Sequence, residues 1–238
     1  MDNLLRFSDY DVFAYVASGF AAIFAYDLVF ATHYVVGAEW SVPEGIIIIV
    51  AAYIIGQILA SPSSWLLERR LVRRGLSRPA DVLMEGKPTS GWRRALARSV
   101  LSDYYVPLDG ATVGKLRELM DAEDIQSGEA LFWRAYPRVK SHTVAYARLE
   151  AFLKLYGFCR NLAFVALVAA VALGASAAGA AACSGSGAAA SQNAGWAVVA
   201  LVIGLGMLHR YLKFHRLFAV EVLTTFAETL RPQEPVAP

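Results

Sequence analysis

The chain contains 238 residues, 57% of them hydrophobic, and carries a formal net charge of +2. This composition is too apolar for an ordinary soluble domain, and the length allows several membrane spans beside a small soluble part. The charge is unevenly distributed, because no Lys or Arg occurs between Arg6 and Arg69 or between Arg160 and Arg210. These two long stretches therefore predict the membrane-embedded parts of the protein.

The first apolar stretch covers residues 12–36. As a helix of about 37 Å it is long enough to cross a bilayer, and it is too long for the core of a signal peptide. We therefore expect an uncleaved first span. One acid, Asp27, lies within it. An acid in a span costs roughly 2.5–3.5 kcal/mol on insertion scales, which makes Asp27 a candidate functional residue.

The second span is predicted at residues 46–67, and Pro62 should kink or end it near the inner surface. Small residues recur at every fourth position in both spans. They are Ala14, Ser18 and Ala22, with Gly19 beside them, and Ala52, Gly56, Ala60 and Ser64. Such stripes let two membrane helices approach closely, so each span is expected to carry a close-packing face.

The orientation follows from the charges that flank these spans. Between Trp65 and Val100 the chain has nine basic residues and three acidic ones. The positive-inside rule makes this side cytoplasmic, so the N-terminus is also inside and the first loop is outside. That loop carries Glu39 and Glu44 and no basic residue, so the outer mouth of a pore would be negative.

Residues 68–157 are expected to form a helical cytoplasmic domain. The predicted helices are residues 68–74 ended by Gly75, residues 92–101, residues 112–120 capped by Thr112, and residues 127–136 ended by Pro137. No stretch alternates over enough residues to predict a strand, although residues 104–108 could pair locally.

The third and fourth spans are predicted at residues 158–182 and 196–213, joined by an uncharged outer loop. A helix that starts at Thr143 should run unbroken into the third span. The last part of the chain, residues 214–238, should continue the fourth span as a cytoplasmic helix and a tail. Its apolar positions are Phe214, Phe218, Val222, Phe226 and Leu230. They predict a broad face packed on the cytoplasmic domain.

The sequence thus predicts an all-α membrane protein with four transmembrane helices in two hairpins, at residues 1–67 and 158–213. The cytoplasmic domain, residues 68–157, separates spans two and three. Both termini, including the segment 214–238, are expected in the cytoplasm.

Signatures of soluble enzymes are absent. Gly110 and Gly114 are one residue too close for a phosphate loop that would use Lys115. Asp27 follows a tyrosine, as in intramembrane aspartyl proteases, but no second acid lies within a span to complete that mechanism. The four histidines form no i, i+4 metal pair. We therefore expect no catalytic residue, metal site or cofactor.

Two interpretations of Asp27 remain open. Tyr53 and Gln57 on the second span lie at a similar depth, and either could donate an interhelical hydrogen bond that fixes the packing. Alternatively, several subunits could present Asp27 to a central cavity, where a ring of carboxylates would select cations.

Four arginines follow the second span: Arg69, Arg70, Arg73 and Arg74. In an α-helix they form two like-charge i, i+4 pairs, so anions are expected nearby. Lipid headgroups are the favoured partners, and a soluble anionic ligand is the alternative.

Two further groups combine aromatic and basic side chains. They are Trp92, Arg93, Arg94 and Arg98, and Trp133, Arg134, Arg138 and Lys140. Such a combination can stack on bases and neutralise the phosphates of a nucleotide or a short single strand. The competing interpretation is a core-facing aromatic stripe beside a solvated basic face.

Residues 8–20 read SDYDVFAYVASGF and lead directly into a span. This opening resembles small membrane proteins of bacterial antiphage defence operons. With the four-span plan it is similar in outline to the Hailong-type membrane effector and, less closely, to the Kiwa membrane subunit. The resemblance implies a homo-oligomeric inner-membrane channel, controlled through its cytoplasmic part by a nucleotide-type signal. Its opening would depolarise the infected cell, and a signalling enzyme from the same operon is an implied partner.

We therefore expect a self-associating inner-membrane protein, with a tetramer as the working hypothesis, whose cytoplasmic domain gates an ion pathway. The main alternative is a non-conducting membrane scaffold whose cytoplasmic domain recruits a protein partner. A transporter is disfavoured, because only two hairpins and no broken, polar half-helices are visible.

Overall fold

A computed structural model of the chain describes residues 9–35, 39–86, 91, 101–141, 143–183 and 187–230. In chain order its elements are α1 (Asp9–Phe30), α2 (Val42–Ser63), a π-helix (Ser64–Leu76), α3 (Pro79–Glu85), a 3₁₀ turn (Asp103–Tyr105), α4 (Gly110–Ala122), α5 (Gly128–Lys140), α6 (Thr143–Cys183) and α7 (Gly187–Thr229). The described residues include no β-strand, so the all-α prediction is confirmed for them. The predicted helix at residues 92–101 and the C-terminal tail lie outside these ranges, except for Leu101.

The chain divides into two compact units. The first unit comprises Met1–Arg70 and Tyr156–Tyr211, and the second unit comprises Leu71–Leu155 and Leu212–Pro238. The chain passes from one unit to the other inside the π-helix, inside α6 and inside α7.

Three helical stretches are long and apolar enough to cross a membrane: Val42–Glu85, Tyr146–Ala182 and Gly187–Thr229. A membrane protein is therefore supported by length and composition. The apolar part of α1, Ala14–Phe30, is shorter. The first predicted span extended to residue 36, whereas α1 ends at Phe30. Ala31 and His33 then adopt positive φ angles of 50° and 58°, which an α-helix does not contain.

The first unit is built on a backbone-to-backbone contact between α1 and α2. Ala14, Ser18 and Ala52 of the predicted small-residue stripes are buried. A Cβ atom on Gly19 would overlap the carbonyl group of Ala52, and one on Gly56 would overlap a carbonyl group on α1. The predicted close-packing faces are therefore confirmed, and only glycine fits at these two positions.

The start of α2 lies four residues before the predicted start of the second span. Ser41 caps the helix, and its backbone N–H and hydroxyl donate to Glu44 Oε2 over 2.8 and 2.7 Å. Pro43 occupies the first turn, where its missing N–H is harmless. This capping box explains why the helix begins before the isoleucine run.

Beyond Pro62 the helix changes from α to π geometry at Ser64, where the sequence predicted a kink or an end. The π-helix also runs past the predicted stop at Gly75. It ends at Leu76, and Ser77 follows with a positive φ of 76°. Two tyrosines of the 3₁₀ turn hold the end of the π-helix. The Tyr105 hydroxyl donates to the Leu76 carbonyl (2.9 Å), and the Tyr104 hydroxyl donates to the Ser77 carbonyl (2.8 Å).

The second unit has a contiguous apolar core. Its fully buried members include Leu83, Leu116, Leu131, Leu149, Val222, Leu223 and Phe226. The end of α7 contributes Val222 and Phe226, and Phe218 and Leu230 pack against the same core. The predicted apolar face of the last helix is therefore confirmed for these positions.

Local predictions in the second unit were partly wrong. Asp109, not Thr112, caps α4, because the Thr112 N–H donates to Asp109 Oδ1 over 2.9 Å. Ser127 caps α5, accepting from Ala130 N at 3.2 Å, and the helix continues past the predicted stop at Pro137 to Lys140. The possible strand at residues 104–108 is instead a 3₁₀ turn followed by irregular chain.

The unbroken helix that the sequence predicted from Thr143 into the third span is α6, 41 residues long. The helix that the sequence predicted to continue beyond residue 213 is also confirmed, since α7 extends for 43 residues. It begins at Gly187, not at Trp196, so the connection between α6 and α7 is shorter than expected.

Candidate functional site

Asp27 organises the turn that follows α1. Its Oδ1 accepts from the Thr32 hydroxyl (2.6 Å) and from Tyr34 N (2.8 Å), and its Oδ2 accepts from Val35 N (3.1 Å). The side chain is only 3% exposed. Trp40 extends the same arrangement, because its indole N–H donates to the Tyr34 carbonyl over 3.1 Å. The acid therefore has a local structural role: it satisfies backbone donors where the helix stops.

The predicted partners of Asp27 lie elsewhere. Gln57 Nε2 donates to the Tyr53 hydroxyl over 3.1 Å, one turn away on the same helix. Among the described residues neither side chain bonds to Asp27, so the predicted interhelical hydrogen bond is wrong. Glu39 is exposed, and Glu44 belongs to the cap of α2.

A buried polar contact joins the end of α2 to α6. The Ser63 hydroxyl donates to Asn161 Oδ1 over 2.6 Å, and the two residues are 0% and 2% exposed. Burying such groups without a partner would be costly, and here each satisfies the other.

An ion pair lies beside this contact. The Glu68 carboxylate accepts hydrogen bonds from the Tyr156 hydroxyl and from the Arg160 guanidinium. Arg160 also donates from Nε and Nη2 to Asn161 Oδ1, at 3.3 and 3.2 Å. We call Ser63, Glu68, Tyr156, Arg160 and Asn161 the polar network. The Arg160 side chain is 14% exposed and that of Glu68 is 29% exposed.

The polar network holds two opposite charges against each other within the first unit. A buried ion pair contributes little net stability compared with apolar side chains of similar size. Its breakage, by contrast, leaves an uncompensated charge, so such a pair favours one arrangement of two helices over others. Ionisable groups within membrane segments are also functional candidates by default.

Sequence reasoning missed the polar network, although a signal was present. Arg160 lies inside the predicted third span, and Glu68 immediately follows the predicted second one. A base within a span predicts a nearby acid.

The four arginines of the π-helix have different surroundings. Arg73 lies 3.7 Å from Glu129, whereas Arg70 lies with its Cζ atom 4.8 Å from the centre of the Trp65 ring. Arg69 is exposed, and Arg74 is exposed as well. Because the segment is a π-helix, the i, i+4 repulsion assumed from an α-helix does not describe their spacing.

The α5 helix separates its aromatic side chains between two faces. Trp133 is 58% exposed, whereas Phe132 is buried and stacks on Tyr136 with an interplanar angle of 13°. Arg134 pairs with Glu123, Arg138 lies 5.5 Å from the ring of Phe226, and Lys140 lies 5.9 Å from the ring of Tyr146. This arrangement matches the competing interpretation of a core-facing stripe beside a basic face. Trp92, Arg93, Arg94 and Arg98 lie outside the described residues.

Within the described ranges, no three His, Cys, Asp or Glu side chains are grouped so that they could hold a metal ion. Comparison with protein-family models, with curated proteins and with solved structures found no match to this chain.

Proposed function

We propose that this protein is a gated ion-conducting membrane protein, assembled from several copies of the chain and controlled through its second unit. The proposal includes α1 as a fourth crossing helix, since its 22 residues span about 33 Å. It also includes both termini on the cytoplasmic side of a bacterial inner membrane, which the basic residues after α2 favour.

The observation that carries this proposal is the polar network. Glu68 lies two residues before the chain leaves the first unit, and Tyr156 is the residue at which it returns. A charged pair at two of the three connections to the second unit is a suitable element for a two-state control. A passive anchor would need no such pair, because apolar side chains would hold the helices at least as well.

In this proposal Asp27 shapes the outer turn and does not line the ion pathway. Its carboxylate oxygens are engaged by Thr32, Tyr34 and Val35, and the side chain is buried. An Asp27→Asn variant is therefore expected to keep the ion selectivity of the wild type.

The test is ion flux from liposomes that contain the full chain. Arg160→Met should change the flux measured without any added ligand, because it breaks the ion pair between Arg160 and Glu68. Glu150→Gln is the matched control, since it removes a partly exposed ion pair with Lys154 on the same helix, with an N–O distance of 2.8 Å. Equal flux from wild type, Arg160→Met and a Glu68→Met variant, all folded, would contradict the gating role.

The control signal is proposed to be a nucleotide-type anion on the second unit. The exposed Trp133 and the cations Arg134 and Arg138 on α5 are the candidate contacts among the described residues. Binding of a labelled oligonucleotide should weaken when both arginines are reversed to Glu, and equal binding would remove α5 from this role.

The second candidate function is a non-conducting scaffold. The exposed Trp133 favours it, because exposed tryptophans are typical of protein-binding surfaces. Absence of flux from folded wild-type and Arg160→Met protein under every ligand tested would favour the scaffold, as would a monomeric mass in solution.

A further inference from the structure

The start of the π-helix presents two arginines that have no acidic partner among the residues that the structure describes. Arg69 and Arg70 are both exposed, and neither forms an ion pair with any carboxylate that the structure describes. Arg73, one turn later, differs because Glu129 lies 3.7 Å away. Two adjacent, uncompensated cations favour a bound anion.

Large apolar side chains lie beside these cations. Trp65 is 49% exposed and Leu66 is 40% exposed. The hydrogen bonds of a π-helix join residues five apart, so Trp65 and Arg70 come to the same side of the helix. The Arg70 guanidinium accordingly lies 4.8 Å from the centre of the Trp65 ring.

We propose that Trp65, Leu66, Arg69 and Arg70 form a binding surface for anionic phospholipid headgroups of the inner leaflet. Tryptophan prefers the boundary between acyl chains and headgroups, and a guanidinium can hold a phosphate through two hydrogen bonds. The four residues directly follow α2, whose apolar residues belong to a candidate span. This inference does not depend on ion conduction.

A lipid fits this surface better than a soluble phosphate does. A soluble anion would neutralise Arg69 and Arg70 but would leave Trp65 and Leu66 in water. A phospholipid supplies the phosphate and the apolar contact together. The charge and the hydrophobicity of the surface are thus both matched by one class of ligand.

The test is lipid retention by the full-length protein, measured by native mass spectrometry after exchange into mixed phosphatidylglycerol and phosphatidylcholine. The wild type should retain phosphatidylglycerol preferentially. Arg69→Gln/Arg70→Gln should weaken this retention by about thirtyfold, since each basic residue at an anionic surface contributes roughly a fivefold factor. Arg69→Lys/Arg70→Lys should restore most of it by restoring the charge.

Lys115→Gln/Arg148→Gln is the control, because it removes the same charge from the second unit and should leave retention unchanged. Helix content measured by circular dichroism checks that each variant is folded. Equal retention of both lipids by the wild type, or unchanged retention by the folded Arg69→Gln/Arg70→Gln variant, would overturn the proposal. Displacement of phosphatidylglycerol by millimolar inorganic phosphate would also overturn it, by identifying a site for soluble anions.

Discussion

The two units of this protein are stabilised in different ways. The first unit brings α1 and α2 into backbone contact at Gly19 and Gly56 and adds the polar network between α2, the π-helix and α6. The second unit instead buries large side chains such as Leu131 and Phe226 in one core. Lipid is as apolar as leucine, so close packing and hydrogen bonds replace hydrophobic burial in a membrane.

The largest expected effect lies in the core of the second unit. Phe226→Ala should lower the free energy of unfolding by about 4 kcal/mol, because it removes a fully buried ring and leaves a cavity. Amide hydrogen exchange in α5 measures the loss. Trp133→Ala is the control and should have a small effect, since that ring is 58% exposed. Similar exchange in both variants would mean that the core does not hold this unit together.

The next effect concerns the polar network of the first unit. Arg160→Met should destabilise the protein by about 3 kcal/mol, because Glu68 loses its counter-charge. The double variant Glu68→Met/Arg160→Met should recover most of this loss, since two apolar side chains of similar size need no pairing. Thermal unfolding in detergent gives the loss of stability for each variant. If the loss in the double variant equalled the sum of the losses in the two single variants, Glu68 and Arg160 would not be coupled.

A smaller effect tests the contact between α1 and α2. Gly56→Ala should destabilise by about 2 kcal/mol, because the added methyl group overlaps a carbonyl group on α1. Gly206→Ala in α7 is matched in chemistry but has no neighbouring atom within 4 Å. It should be neutral or stabilising, because alanine is the better helix former. If both substitutions changed the stability in the same direction, close backbone packing would not distinguish the contact between α1 and α2 from the rest of the protein.

The smallest effect is local. Asp27→Ala should cost about 1 kcal/mol, because Tyr34 is exposed and Val35 is partly exposed, so water can replace the hydrogen bonds that their N–H groups lose. Faster amide exchange at Tyr34 and Val35 is the expected signature. Glu39→Ala, an exposed acid in the same connection, should leave that exchange unchanged. A comparable response to both substitutions would show that the turn does not depend on the Asp27 carboxylate.

Periodic and compositional features were predicted well. The small-residue stripes of α1 and α2, the unbroken α6 and the apolar face at the end of α7 each depend on residue type at regular spacing. Helix ends were predicted less well. The N-cap of α4 is Asp109 and not Thr112, and α5 continues through Pro137 to Lys140. The residue at which a helix starts or stops depends on the geometry of individual side chains, which a sequence pattern locates only to within a few residues.

The sequence by itself determined the all-α class, the apolar stretches and the positions at which only small residues let helices meet, because these follow from composition and period. Only the tertiary structure decided what Asp27 and Arg160 contact. The Asp27 carboxylate accepts hydrogen bonds from Thr32, Tyr34 and Val35. The Arg160 guanidinium pairs with Glu68, which is 92 residues away along the chain. A buried polar group takes the nearest partner in space, and spacing along the chain does not specify that partner.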